Sequence, residues 1–291
     1  MEKELTQNVV YIVIPVYNRK EYTQDCLLSL EGQIPRAHII IVDDGSTDGT
    51  KEMLATKFPE IIVLSGDGKL FWTAATNMGI RHALNLGADY VMTLNNDTIA
   101  TDDFVAKMME GAKQRPDSLI GALDLDVRTK KRNYGGEIIN WTLAKSRFLL
   151  DELSESEQHG LHEVSLFPAR GLLIPRKVFE TVGLFEEKLL PHYIADYDFT
   201  HLARRNGFPV YCNYDAWLYT YPEESGDRKI IKHKTLKNYY NHLFDIKGGG
   251  NLKNYTIYTI RNCPPLLIPF SLFVGYVRRF VGYWKPESLG R

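Results

Sequence analysis

A run of branched apolar residues, 39–42, leads directly into two carboxylates, Asp43 and Asp44. Unbroken β-branched runs are typical of central parallel strands that are covered on both faces. Open sheets of this kind bind ligands at the carboxyl ends of their strands. The segment therefore predicts a parallel sheet with a ligand contact at Asp43. The residues that follow, 44–50, are typical of a turn in which Thr47 or Asp48 caps the next helix.

Strand-like and helix-like patterns alternate through the first half of the chain, which indicates a parallel α/β sheet. After about residue 120 the alternation weakens, and the polar segment 150–160 indicates a surface loop. We therefore expect a mixed or antiparallel second half. The predicted strands are 9–14, which we expect Pro15 to stop, 39–43, 61–64 and 90–94, and the longer predicted helices are 73–86 and 104–115.

Composition excludes several classes of protein. A chain of 291 residues with 44% hydrophobic residues buries a substantial core. Lysine and arginine number 35 against 36 acidic residues, so the net charge of −1 gives no signal for a nucleic-acid partner. The cysteines Cys26, Cys212 and Cys263 have neither disulfide-like nor zinc-like spacing and are expected to be free thiols. No signal-peptide pattern is visible, so we expect a cytoplasmic protein.

A second acidic strand end follows the predicted strand 90–94, where the sequence reads Asn95, Asn96, Asp97. Mg²⁺ is commonly held by one or two carboxylates together with substrate phosphates. Asp97 is therefore a candidate metal ligand. The alternative is a simple turn before a helix that is capped by Thr101 or Asp102.

Six segments occur in an order that resembles the family 2 glycosyltransferases, which are inverting nucleotide-sugar enzymes with the GT-A fold. They are IVIPVYNRKEYTQDCLLSL, IIIVDDGSTDGT, GDGKLFWTAATNMGIRHAL, YVMTLNNDT, ARGLLIPRKVFETVGLFEE and ADYDFTHLARRNGF. The resemblance covers roughly residues 9–220. The segments LFWTAATN and NND are most similar to the rhamnosyltransferase-like branch that acts on bacterial surface polysaccharides.

The resemblance implies an α/β protein with a Rossmann-like, mostly parallel central sheet and helices on both faces. Residues 1–120 would form the nucleotide-sugar-binding half, and 121–225 the mixed acceptor-side half of the same GT-A domain. Residues 226–291 would form a C-terminal helical extension.

The resemblance also assigns the donor site. A carboxylate at Asp43 accepts the N3–H of a uracil or thymine ring, and Tyr17 offers a ring for stacking or simply packs over the sheet edge. Trp72 either closes over the donor or belongs to the core. Asn77 and Arg81 lie four residues apart on one helix face and are candidates for a phosphate or the base. The full set for the nucleotide-sugar is Pro15, Val16, Tyr17, Asp43, Gly68, Lys69, Trp72, Asn77, Arg81 and Asn96.

The metal position departs from the usual Asp-x-Asp motif of the family, because Asn95 replaces the first carboxylate. Binding of Mg²⁺ or Mn²⁺ at Asp97 should therefore be weak and dependent on the donor diphosphate, and a metal-independent reaction is conceivable. We expect metal-assisted departure of the nucleotide.

The resemblance places the general base at Asp196, which would take the proton of the attacking acceptor hydroxyl. Asp198 is expected to cap the helix that follows. Leu202 stands where the family often has an arginine, so Arg204 or Arg205 would have to compensate.

The segment 266–285 is strongly apolar but contains Pro269, Arg278 and Arg279, which disfavour a membrane-spanning helix. It suits an interfacial helix at the inner face of the plasma membrane, packing against the catalytic domain, or a contact in a homo-oligomer.

We therefore expect an inverting glycosyltransferase that moves a sugar from a UDP- or dTDP-sugar to a saccharide or lipid-linked saccharide. The alternatives are a catalytically silent nucleotide-sugar-binding or scaffold protein, or a sugar nucleotidyltransferase. The latter would need a glycine-rich loop after the first strand, which PVYNRKEY lacks.

Overall fold

The computed structural model describes residues 8–222 and 234–284. The predicted alternation of strands and helices in the first half is confirmed. Its elements are β1 (Val10–Val16), α1 (Lys20–Ser29), β2 (Ile39–Asp43), α2 (Thr50–Lys57), β3 (Ile62–Ser65), α3 (Phe71–Asn85) and β4 (Tyr90–Thr93).

The second half is mixed, as predicted, and a helical extension follows it. Short 3-10 turns occupy parts of the predicted loop 150–160. The elements are β5 (Thr98–Ala100), α4 (Phe104–Gln114), β6 (Leu119–Asp126), β7 (Arg132–Tyr134), β8 (Glu137–Asn140), β9 (Lys145–Phe148), β10 (Leu161–Val164), β11 (Leu172–Pro175), α5 (Arg176–Val182), α6 (Ala195–Arg205) and β12 (Val210–Thr220), then α7 (Leu236–Phe244), α8 (Leu252–Asn262) and α9 (Ile268–Gly282).

The main sheet has the strand order β10-β12-β6-β11-β4-β1-β2-β3, with β5 paired to β12 and β7 to β6. Strands β3, β2, β1 and β4 are all parallel. The antiparallel strand β11 joins them to the parallel pair β6 and β12. Strands β8 and β9 form a separate hairpin.

Both faces of the parallel half are covered, which explains the unbroken apolar run of β2. Val13, Ile40 and Val42 belong to a core on the α3 side of the sheet. Ile12 and Ile41 belong to a second core with residues of α1, α2 and α4. Because successive side chains of a strand point to opposite faces, only a run without polar residues satisfies both cores.

Three local predictions were wrong. Pro15 does not stop the first strand but lies within β1, opposite Val42. β4 pairs with β1 only as far as Val13, so the missing N–H of Pro15 interrupts no ladder on that side. The N-cap of α2 is Gly49, with φ 86°, although the Asp48 carboxylate still accepts the N–H of Thr50. The N-cap of α4 is Asp103, one residue beyond the predicted pair.

The C-terminal helices add an exposed apolar surface. Pro265–Gly282 is the one helical stretch among the described residues that is long and apolar enough to cross a membrane, and 11% of it is buried. Phe273, Val277 and Phe280 are exposed on it. The proposed domain boundary at 225 and residue 285 lie outside the described residues. All three cysteines are free and buried, as expected.

Candidate active site

A cavity of about 490 Å³ opens at the carboxyl ends of β1, β2 and β4. We call it the first cavity. It lies where the sequence predicts a site, because parallel strands deliver their carboxyl ends to one edge of the sheet. Its lining residues are Pro15, Val16, Tyr17, Arg19, Asp44, Gly68, Phe71, Trp72, Asn95, Asn96, Asp97, Arg170, His192, Tyr193, Thr220, Tyr221, Pro222 and Lys247.

Seven of the twelve predicted site residues line this cavity: Pro15, Val16, Tyr17, Gly68, Trp72, Asn96 and Asp97. The side chain of Tyr17 is available for stacking, since 55% of it is exposed. The indole Nε1 of Trp72 donates to Asn95 Oδ1 at 3.0 Å, which ties the start of α3 to the end of β4. Asn96 is buried and donates to Thr23 Oγ1 at 3.0 Å.

The structure places Asp44, rather than Asp43, in the cavity wall. Asp43 accepts the N–H of Ser46 at 2.9 Å within the turn. Asp44 accepts the N–H groups of Gly68 at 2.9 Å and of Leu70 at 3.0 Å. Consecutive residues at a strand end point in different directions, so one carboxylate closes the turn and the other faces the loop.

The loop that Asp44 holds has little room for larger residues. A Cβ at Gly66 would lie 2.5 Å from Asp44 Oδ1, and Gly68 has φ +87°. Phe71 adopts φ 54°, a left-handed conformation that is uncommon for a bulky residue. Arg19, which also lines the cavity, has φ 67°, and Ile194, which follows the lining residue Tyr193 in the chain, has φ 74°. Strained residues of this kind concentrate at binding sites.

Three predicted donor residues lie elsewhere. Asn77 is buried and donates to Phe185 O at 2.8 Å and to Glu187 Oε2 at 2.7 Å. Arg81 forms an ion pair with Glu187 at 3.0 Å. Both therefore hold the segment before α6 instead of facing the first cavity. Lys69 is exposed and is also absent from the cavity lining. Asn77 and Arg81 do share one face of α3, as predicted, but this face contacts Glu187 and does not line the first cavity.

Asp97 forms an ion pair with Arg19, with 2.5 Å between Oδ2 and Nη1. Among the described residues, no cluster of three or more histidine, cysteine or acidic side chains is placed to hold a metal ion. The donor set at this position is therefore a single carboxylate with neighbouring amides. Such a set can hold a divalent ion only when substrate phosphates supply further oxygen ligands.

A second arginine of the cavity, Arg170, is fixed from behind. Its guanidinium lies 2.5 Å from the buried carboxylate of Asp124, which also accepts the hydroxyl of Thr220 at 2.5 Å. Burial lowers the pKa of Arg170, but Asp124 together with Tyr197, Tyr134 and Asp97 outweighs this, and the net pKa is raised. Arg170 therefore presents a permanent, oriented positive charge at the cavity.

Asp196 lies in the first turn of α6, next to the cavity-lining segment His192 and Tyr193. Its Oδ1 accepts the backbone N–H of Tyr197 at 2.9 Å. Burial raises the pKa of Asp196, and hydrogen bonds from the N–H groups of Tyr197 and Ala169 partly oppose the rise. Asp196 is not itself a lining residue of the first cavity, although His192 and Tyr193 of the preceding segment are.

His192 lines the first cavity. Burial, together with the charge of Lys247, lowers its pKa to about 4. The imidazole is therefore neutral near pH 7 and acts there as a hydrogen-bonding group without charge.

Asp198 does not cap α6, whose N-cap is Ile194. The carboxylate is buried and accepts Arg261 Nε at 2.9 Å and Asn262 Nδ2 at 2.6 Å. Both partners lie in α8 or at its end, so Asp198 attaches the C-terminal extension to the helix that carries Asp196. Neither Arg204 nor Arg205 lines the first cavity, and Arg204 lies 3.4 Å from Glu163 instead.

Residues 11–181 match the model of the family described as glycosyl transferase family 2, which is more than half of the chain. The chain belongs to glycosyltransferase family 2.

Curated relatives of this glycosyltransferase are similar over part of their length. Glycosyltransferase AglJ of Haloferax volcanii is 29% identical over 145 residues, which cover 48% of this chain and 45% of AglJ. The dTDP-rhamnosyl transferase RfbF of Shigella flexneri is 24% identical over 185 residues, which cover 64% of this chain and 60% of RfbF. The chain therefore spans less than two thirds of either relative.

Solved structures share the fold of the glycosyltransferase. TarS residues 1–349 of S. aureus in complex with UDP-GlcNAc has a TM-score of 0.58 and 13% identity, covering 94% of this chain and 91% of TarS 1–349. GalNAc-T7 with UDP, GalNAc and Mn²⁺ has a TM-score of 0.57 and 13% identity, covering 73% of this chain and 43% of GalNAc-T7. The predicted GT-A fold is confirmed.

Several cavity residues of the glycosyltransferase were missed by sequence reasoning. Arg19 follows the predicted Tyr17 by two residues and Phe71 precedes the predicted Trp72, so nearness in sequence to these residues was the available signal. Arg170 lies in ARGLLIPRKVFETVGLFEE, one of the segments that carry the family resemblance. No sequence signal points to Lys247, which reaches the cavity from the segment between α7 and α8.

Proposed function

We propose that the protein is an inverting glycosyltransferase that uses a UDP- or dTDP-sugar. Its acceptor would be a hydroxyl of a saccharide or lipid-linked saccharide in the synthesis of a bacterial surface polysaccharide. The observation that carries the proposal is the first cavity, where Tyr17, Arg170 and Asp97 meet at the strand ends, beside the segment that leads to Asp196. The name of RfbF and the UDP-GlcNAc complex of TarS support the choice of donors.

The nucleoside would bind at the end of β1. Tyr17 would stack on the base, while the adjoining backbone of Pro15 and Val16 lines the same wall. Asp44 holds the loop that contains Gly68 and Phe71, so this loop would form the opposite side of the donor site. Asp43 would support the site through the turn at Ser46 rather than by direct contact.

The diphosphate would lie among the cations of the cavity. Arg19, Arg170 and Lys247 all line it, and a doubly charged leaving group needs such neutralisation. A Mg²⁺ or Mn²⁺ ion held by Asp97 and the phosphate oxygens would stabilise the charge that develops on the departing nucleotide. Because Arg19 already contacts Asp97 Oδ2, the ion and Arg19 compete for this carboxylate.

Asp196 would act as the general base. The acceptor oxygen attacks the anomeric carbon while its proton passes to the Asp196 carboxylate, and the bond from that carbon to the phosphate oxygen breaks. One displacement from the opposite side inverts the anomeric centre. A raised pKa improves the carboxylate as a base, because proton-transfer efficiency rises as the pKa approaches the working pH.

The enzyme would work at the cytoplasmic face of the membrane. The exposed apolar side chains of α9 would rest at the lipid interface, as in interfacial amphipathic helices. Vesicle flotation of the wild type and of a Phe273→Asp variant tests this contact. Equal flotation of the two proteins would contradict it.

The first test of the function is nucleotide binding and release. A thermal-shift screen of UDP- and dTDP-sugars with Mg²⁺ or Mn²⁺ should raise the melting temperature for the true donor class. UDP or dTDP release that increases on addition of acceptor supports transfer. Binding without any release would instead favour the silent nucleotide-sugar-binding protein, a candidate suggested by Asn95 and by the ion pair at Asp97.

A further inference from the structure

A second cavity of about 360 Å³ lies between the β8–β9 hairpin and helices α8 and α9. Its lining includes Ile194 and Tyr197, whereas His192 and Tyr193 of the same segment line the first cavity. The segment 247–249 is divided in the same way, with Lys247 on the first cavity and Gly249 on the second. The two cavities therefore adjoin, and Asp196 belongs to the segment between them.

Three hydrogen-bond donors of the second cavity's lining residues are buried and have no partner among the described residues. They are the indole N–H of Trp141, the hydroxyl of Tyr258 and the Nε–H of Arg279. Buried polar groups in native proteins are nearly always paired, because an unmade hydrogen bond keeps the full cost of desolvation. All three belong to residues that line one cavity, and a bound group rich in acceptors would pair them.

The charge of the same wall is also unbalanced. The guanidinium of Arg279 lies 3.6 Å from the ring centroid of Tyr255, and no carboxylate of the described residues is among the groups that shift its pKa. Burial lowers the pKa of Arg279 to about 10. Glu137, the carboxylate that lines the cavity, instead accepts the hydroxyl of Tyr197 at 2.7 Å. A buried cation without a counter-ion is costly, and an anionic ligand would remove that cost.

We propose that the second cavity binds the phosphate group of a phosphate-bearing acceptor, through Trp141, Tyr258 and Arg279. A phosphate ester offers acceptor oxygens to all three donors and a negative charge to the guanidinium. The rings of Trp141 and Tyr258, with centroids 5.9 Å apart, would pack against the adjoining sugar or lipid. This inference rests on the proposed function and names the chemical class of its acceptor.

The position of the cavity is consistent with this role. Gly275, Arg278 and Arg279 of α9 line it, while Phe273, Val277 and Phe280 of the same helix are exposed. A lipid-linked saccharide would thus find its phosphate site beside an apolar surface. Its sugar would extend toward the segment that carries Asp196.

The test uses the full chain labelled with 5-fluorotryptophan and followed by ¹⁹F NMR. Trp141→Phe assigns the resonance that reports on the second cavity, and Trp72→Phe assigns the one that reports on the first. The probes are α-D-glucose 1-phosphate, hexyl phosphate and inorganic phosphate, with methyl α-D-glucoside as the neutral control. We expect the phosphate esters to shift the Trp141 resonance at millimolar concentrations and the glucoside to leave it in place.

Tyr258→Phe is the sharpest variant, because it removes only an unpaired hydroxyl. It should fold with unchanged or higher thermal stability and weaken phosphate-ester binding about tenfold, as expected for one lost charge-assisted hydrogen bond. Arg279→Gln should abolish binding. Arg115→Gln is the matched control, since Arg115 also lies over a tyrosine ring, that of Tyr211 at 5.4 Å, but does not line the cavity.

The outcomes separate the two proposals. If UDP shifts the Trp72 resonance but phosphate esters leave the Trp141 resonance in place, this inference is overturned and the donor site is unaffected. If phosphate esters shift the Trp141 resonance but UDP and dTDP leave the Trp72 resonance in place, the phosphate site is supported and the proposed function is contradicted. Tighter binding of hexyl phosphate would identify a lipid source of the phosphate, and tighter binding of glucose 1-phosphate a sugar phosphate. Equal binding by wild type and Tyr258→Phe would also overturn the inference.

Discussion

An ion pair between the buried Asp198 on α6 and Arg261 on α8 helps to attach the C-terminal extension. The Asp198 side chain is 2% exposed and the Arg261 side chain 32%. Arg261 also reaches Glu186 Oε2 at 3.4 Å. The two partners are therefore unequal: the arginine has water and a second carboxylate, whereas Asn262 is the one other side chain in the described part of the chain that donates to the aspartate.

This asymmetry predicts which of the two substitutions lowers the free energy of unfolding more. Arg261→Ala leaves a buried carboxylate with a single amide donor, and breaking a buried pair in this way costs about 3–5 kcal/mol of unfolding free energy. Asp198→Asn leaves a guanidinium that can still hydrate, so we expect a loss of about 1–3 kcal/mol, the range for hydrogen bonds to a charged group. Most domains have about 5–15 kcal/mol of stability, so both variants should remain folded.

Urea unfolding at neutral pH, followed by circular dichroism, measures these costs. Arg147→Ala is the matched control, since Arg147 pairs with Glu152 at 2.8 Å but both side chains are largely exposed, at 57% and 36%. An exposed pair of this kind contributes at most about 1 kcal/mol. If Arg261→Ala cost no more than Arg147→Ala, or less than Asp198→Asn, the argument from burial would be refuted.

Three further predictions concern the site and its surroundings. Arg19→Ala should raise the affinity for Mn²⁺ in the presence of UDP, because it frees the Asp97 carboxylate, and an unchanged or weaker affinity by electron paramagnetic resonance would contradict competition. Asp44→Ala should release the loop at Gly68 and raise KM for the donor with a smaller effect on kcat, since three backbone donors lose their acceptor. Burial and the charges of Arg205 and Arg204 lower the pKa of His201 to about 4 from 6.5, so its contribution to stability is complete above pH 6.5 and lost as the pH falls toward 4. In His201→Gln the urea midpoint of unfolding should therefore fall less between pH 6.5 and pH 4 than in the wild type. An equally steep fall would refute the role given to His201.

The parallel half of the fold could be predicted because its signals are local. An apolar run that must serve two cores, followed by polar residues, identifies a strand and its ligand end without reference to the rest of the chain. The same reasoning located Asp97 at the end of β4. It could not predict which of the two carboxylates, Asp43 or Asp44, lines the first cavity, because the direction of each depends on how the strand ends and on where the loop at Gly68 lies.

Contacts between distant segments could not be predicted from local patterns. Asn77 and Arg81 share a helix face, but only the tertiary structure places Glu187 against it. Asp198 was expected to cap α6, whereas it accepts hydrogen bonds from Arg261, 63 residues further along the chain, and from Asn262. The unpaired donors of the second cavity depend in the same way on where α8 and α9 pack.

The central claim is that Asp196 accepts the proton of the acceptor hydroxyl at a GT-A site. Burial raises the pKa of Asp196, so the ionised carboxylate weakens folding at neutral pH, and Asp196→Asn should raise the melting temperature there. The decisive measurement is acceptor-dependent release of UDP or dTDP by wild type and Asp196→Asn, with donor binding measured in parallel. The account predicts a loss of kcat of about 10²–10⁴-fold with donor binding retained. Undiminished turnover by Asp196→Asn would contradict it.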